Sequence, residues 1–132
     1  MRLFKVLAAS ALLVAGVAPA VAKSPSGEAR LAKILAGRVA GKPQQCIYLP
    51  SITNTRIIDG TAIVYDAGRT IYVNRPEGGA RTLSSGDVMV TKPTNSELCN
   101  VDIVRMFDQG THFERGFVNL GDFVPYRKPG AR

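Results

Sequence analysis

The chain has no tryptophan, one histidine and two cysteines among 132 residues, and each scarcity removes a class of function. With His112 as the sole imidazole, a histidine-built metal centre lacks its ligands, and a nucleophile–base–acid triad has only that one base to recruit. Neither Cys46 nor Cys99 has a second cysteine within a few residues, so the paired spacing of a structural zinc site is missing. No glycine-rich phosphate loop, dinucleotide fingerprint or calcium loop occurs, and so no cofactor is expected. Internal repeats, low-complexity tracts and runs of five or six like charges are also absent.

What is present begins with an export address. Arg2 and Lys5 precede an uncharged Ala/Leu/Val stretch from Val6 to Val17, followed by Pro19-Ala20-Val21-Ala22. This is the charged, apolar and small-residue order of a cleavable signal peptide over residues 1–22, with cleavage expected after Ala22 or, alternatively, after Ala20. The apolar stretch is shorter than the roughly 20 residues that span a bilayer. No cysteine near the cut offers a lipid attachment point. The expected product is a soluble periplasmic or secreted protein with no membrane span after cleavage, a single mature domain over residues 23–132.

In an oxidising compartment two cysteines in one small domain most simply form one disulfide, Cys46 to Cys99. Losing Arg2 and Lys5 with the leader leaves 15 basic against 10 acidic residues. Such a field can steer a chain to anionic partners such as membrane surface groups, polysaccharide or nucleic acid, but the basic residues are scattered singly and read first as a solubility device.

Along the mature chain, Leu31, Ile34, Leu35 and Val39 recur at helical spacing and predict an amphipathic helix over about 28–40. Ser26 is its expected N-cap, Glu28 suits the first turn, Gly37 weakens the interior, and Gly41 with Pro43 is the expected stop. From about 45 to 127 the pattern changes to short β-prone runs at 46–49, 56–58, 61–65, 70–74, 88–91, 101–107, 116–119 and 122–126. The clearest local feature is a hairpin from Thr61 to Asn74 through Asp66-Ala67-Gly68. The 101–107 run reads as a strand, but neither of its faces is purely apolar, which keeps a short helix open as the alternative. The expected fold class is α+β, mainly β: an N-terminal amphipathic helix packed on a small antiparallel sheet or partly open barrel, with one disulfide.

Residues that carry chemistry are few. His112, in Gly110-Thr111-His112-Phe113, reads as a connection beside an aromatic anchor. Asp59, Asp66 and Asp122 adjoin or nearly adjoin glycines and read as turn formers, while Asp102 reads as a partner for a nearby arginine. Tyr65, Tyr72 and Tyr126 with Arg56, Arg69, Arg75 and Arg81 could form an aromatic, basic face of the kind that binds sugars or single strands; within it Arg69, Arg75 and Tyr72 are the candidate ligand surface.

One set of strings is familiar: Cys46-Ile47 with Leu49, Arg56-Ile57-Ile58-Asp59-Gly60 with Ile63, Tyr72 with Asn74-Arg75, Leu98-Cys99 with Asp102-Ile103-Val104-Arg105, and Gly121-Asp122-Phe123 with Pro125-Tyr126. Together, over most of residues 45–127, they resemble a family of small exported proteins of unknown function from Gram-negative bacteria. The resemblance implies a secreted, disulfide-bearing domain. That family has no established activity, so it lends no catalytic or binding residue. The resulting expectation is an uncharacterised, non-enzymatic binding or envelope-associated module, its partner an anionic envelope component or another exported protein. The alternatives are a small periplasmic hydrolase using His112, and an inhibitor or modulator of another secreted protein.

Overall fold

Residues 26–130 and Gly16 are described in the computed structural model. Apart from Gly16, the expected leader lies outside the described residues. Helix α1, Gly27–Ile34, opens at Ser26, whose Oγ accepts the Ala29 N–H at 3.2 Å. It has 8 residues, against a stretch expected to run on to about residue 40. Gly37 takes φ 74°, a left-handed conformation that glycine adopts at low cost, and this ends the helix two turns before Gly41. The residues beyond it, Val39–Ala40, form a short strand, β1, in place of a last helical turn.

Among the described residues the chain forms ten strands, all paired antiparallel: β1, β2 (Cys46–Tyr48), β3 (Asn54–Ile58), β4 (Ala62–Ala67), β5 (Thr70–Asn74), β6 (Asp87–Val90), β7 (Glu97–Cys99), β8 (Ile103–Asp108), β9 (Glu114–Asn119) and β10 (Phe123–Arg127). They build a five-stranded sheet in the order β1-β10-β5-β4-β3, a two-stranded sheet β2-β7 and a three-stranded sheet β6-β8-β9. The 101–107 run is therefore a strand. The β4–β5 hairpin turns at Gly68 and Arg69, with Ala67 paired to Thr70, one residue later than the expected connection.

Every residue from Ala62 to Tyr65 is buried, because both faces of the central sheet are covered. On one face Ile58, Ala62, Val64, Ile71 and Val73 form a cluster with Leu31 of α1, and Tyr126 packs against it. On the other, Ile63, Tyr65 and Phe123 meet Ile47 of β2, Leu98 of β7, Val104 and Met106 of β8 and Val118 of β9. That second cluster joins the three sheets. Tyr65 sets its ring edge-on to Phe123 with centroids 5.8 Å apart, and burial pushes its phenol pKa well up.

Three polar features hold the frame. Cys46 and Cys99 lie directly opposite in β2 and β7 and form a disulfide, with Cα atoms 4.0 Å apart. Asn74 has no solvent exposure, and its side chain gives a hydrogen bond to the Gly121 carbonyl at 2.7 Å and accepts one from the Gly121 N–H at 3.0 Å. A side chain at Gly121 would collide with the Arg75 carbonyl oxygen, so the connection into β10 passes close to β5 only because that residue is glycine. Thirdly, the register of β8 and β9 shifts between Met106 and Phe107, leaving Arg115 as the extra residue of a bulge. Its guanidinium stands 3.5 Å from the Asp87 carboxylate, which is 1 % exposed and has no hydrogen-bond partner among the described residues.

Candidate functional site

The inner face of the three-stranded sheet supplies core residues, and period-two alternation then sends Val88, Val90, Ile103, Arg105 and Phe117 outward. Polar side chains usually occupy such a face. Here Val90, Val101, Ile103 and Phe117 stay exposed, Val101 at 83 % and Phe117 at 54 %. With Lys92, Asp102, Arg105 and Glu114 they line an open groove of about 570 Å³, within the range of small-ligand sites.

Its charged side chains are largely matched. Arg105 donates from Nε to Glu114 Oε1 at 2.9 Å and from a terminal nitrogen to Glu114 Oε2. These hydrogen bonds hold the Glu114 carboxyl below its ordinary value and raise Arg105. The Arg105 guanidinium also lies over the Phe107 ring, 5.7 Å from its centroid, within cation–π range. Asp102 Oδ2 accepts the Cys99 N–H at 2.7 Å, where an arginine partner was expected. This bond ties the groove wall at Val101 and Ile103 to the end of the disulfide-bearing strand. Lys92 makes no ion pair among the described residues.

The structure distributes the sequence-derived candidates differently. Tyr65 and Tyr72 are cross-strand partners facing the three-sheet core, whereas Tyr126 packs with the cluster on the opposite face. The three tyrosines do not share a surface. Arg69 lies in the β4–β5 turn, and its carbonyl accepts from Arg38. Arg75 is about 20 Å of strand away and forms a two-pronged ion pair with Glu28 of α1, at 2.6 and 3.0 Å. Tyr72, between them, is half-buried against the core.

His112 occupies the β8–β9 loop with φ 61°, and its N–H donates to the Asp108 carbonyl at 2.9 Å. The Asp108 carboxylate accepts the N–H groups of Gly110 and Thr111 and the Thr111 hydroxyl, which lower its pKa. The His112 ring is exposed and makes no hydrogen bond among the described residues, so no acid orients it. Neighbouring Phe113 is 75 % exposed and anchors nothing. Asp66 caps its own turn through the Gly68 N–H, and Asp122 accepts from Asn100. Asp59 does more than form a turn: it accepts the Ser85 N–H at 2.5 Å and an Arg30 nitrogen at 3.1 Å, joining α1, the β3–β4 turn and the loop before β6.

Among the described residues, Cys46, Glu97 and Cys99 bring potential ligand atoms within 4.8 Å of one another. Both sulfurs are bonded to each other, and neither is available as a thiolate. No helix among the described residues is long and apolar enough to cross a membrane. Comparison with protein-family models, curated proteins and solved structures finds no match.

The groove residues escaped the sequence reading, yet their signal is in the 101–107 alternation. Val104 and Met106 are the core face, so Ile103 beside Arg105 on the other is apolar surface without a core to fill.

Proposed function

We propose that the chain is an exported, non-enzymatic binding module whose ligand seats in the groove over the outer face of β6, β8 and β9. The observation that carries this reading is the exposure of Val90, Val101, Ile103 and Phe117 around one concave surface. Contiguous apolar surface with a few polar groups at its margin is the ordinary signature of a binding site. Export is supported by the residue order of 1–22, and the Cys46–Cys99 disulfide fits an oxidising compartment. In this reading residues 23–132 are the mature protein, with α1 packed on the five-stranded sheet and the three sheets acting together as a partly open barrel.

The test uses 1-anilinonaphthalene-8-sulfonate, an apolar anion suited to the groove and to Lys92. Native protein is expected to enhance its fluorescence, and Phe117→Asp to weaken binding at least tenfold. Phe117 lies outside the core, so melting should be nearly unchanged. Equal dye binding by the variant would remove the groove from consideration.

A further inference from the structure

The proposed ligand site has a particular shape: it lies beside an unpaired strand. Of the two edges of the three-stranded sheet, the one at β9 is tied to the loop after β5 at its last residue, since Glu77 N–H donates to the Asn119 carbonyl and Asn119 N–H to the Gly78 carbonyl, both at 3.0 Å. The edge at β6 pairs with no described strand, and only its first residue, through Asp87 N–H to the Ser84 carbonyl, bonds outside the sheet. Exposed edges are commonly blunted by lysine, proline or a bulge within the strand. Asp87-Val88-Met89-Val90 has none of these; its protection is confined to its shortness and to the inward-pointing Asp87 at its first residue, and its outward Val88 and Val90 continue the apolar surface of the groove.

Charge and size narrow the occupant. Arg105 and Glu114 satisfy each other and Asp102 is held by the Cys99 N–H, which leaves Lys92, just past the end of β6, as the groove charge without an ion-pair partner among the described residues. Three strands of four, six and six residues present a face of about 250 Å². A stable protein partner needs roughly 800 Å² per side, so the face suits a single strand better than a second copy of the chain.

We infer that the occupant is an extended segment of another exported protein, which adds antiparallel to β6 as a fourth strand and places a carboxylate at Lys92. This rests on the groove being the ligand site. Main-chain hydrogen bonds to β6 would supply affinity, and alternate side chains beside Val88 and Val90, at the β6 margin of the groove, would supply selectivity. The antiparallel sense follows the described pairings of this protein and sets the acidic residue at the segment's N-terminal end.

The probe is the peptide acetyl-Glu-Val-Thr-Val-Thr-amide, titrated against the full mature chain by calorimetry or amide chemical shifts. Two further versions are N-methylated on one or the other alternate set of amides. Strand addition predicts binding of the parent, at least a tenfold loss for one methylated version, and little loss for the other. Lys92→Glu should weaken the parent at least tenfold and favour the peptide carrying Lys in place of Glu. Equal binding of all three backbones would overturn strand addition while leaving the groove as a ligand site. Dye binding without peptide binding would do the same. Loss of both dye and peptide binding would remove the groove reading as well. A dimer in sedimentation that Val88→Lys dissolves would overturn the inference in favour of a second copy.

Discussion

Replacing Asn74 should destabilise the protein more than its size suggests, because its side chain serves two main-chain groups in a site without solvent. It holds the Gly121 carbonyl at 2.7 Å and the Gly121 N–H at 3.0 Å. Asn74→Ala leaves both groups buried and unpaired, at about 1–3 kcal/mol each. A total of about 3 kcal/mol corresponds to a melting-temperature fall of about 15 °C in a domain of this size. Asn74→Asp separates hydrogen bonding from packing. Its carboxylate still accepts the Gly121 N–H, but it faces the carbonyl without a proton to offer. That raises the folded-state pKa of the introduced carboxyl above its unfolded value of about 3.9. The penalty is absent below the unfolded value and grows as pH rises to the folded value, where it is complete. Thermal unfolding of wild type and both variants between pH 4 and 7 measures it, and the wild-type curve subtracts the titration of other groups. A loss below about 0.5 kcal/mol for Asn74→Ala, or a pH-independent gap for Asn74→Asp, would refute the reasoning.

Other perturbations probe the rest of the frame. Arg115→Ala removes the cation beside the buried Asp87 carboxylate and should cost about 1–3 kcal/mol in chemical denaturation, with much of it regained when Asp87→Asn is added. Reducing the Cys46–Cys99 bridge, which closes a separation of 53 residues, should lower stability by up to about 4 kcal/mol in the chain-entropy treatment. Denaturation of the reduced, alkylated protein checks this. Acid should also destabilise the fold: Asp59, lowered from 3.8 chiefly by the Ser85 N–H, and Glu28, lowered from 4.5 by Arg75, contribute stability above those values. That contribution is lost as pH falls through the lowered folded values. Asp59→Asn should flatten the acid limb of the melting curve, and an unaltered limb would contradict the assignment.

The parts legible from sequence were those in which local pattern and tertiary demand agree. Thr70–Asn74 alternates cleanly, and the structure pairs it as a strand with those residues as its ends. The helix overran because Leu35 and Val39 continue the helical period, whereas the left-handed turn at Gly37 overrides it. Val39–Ala40 and Glu97–Cys99 are too short for any period to register, and only their partners, β10 and β2, make them strands. The unbroken run Ala62-Ile63-Val64-Tyr65 did carry a signal of burial on both faces. Once those faces are covered, Tyr65 and Tyr72 become core residues and Arg75 becomes an ion-pair partner for α1. The Asn74–Gly121 contact spans 47 positions, and nothing local in either residue announces it.

The central claim is that ligand contact concentrates on the outer face of β6, β8 and β9. Amide chemical-shift mapping of the mature chain with 1-anilinonaphthalene-8-sulfonate tests it residue by residue. The expected result is shifts at residues 88–92, 101–105 and 114–118, lost in Phe117→Asp. Shifts centred on Arg69, Tyr72 and Arg75, or spread evenly over the surface, would contradict it.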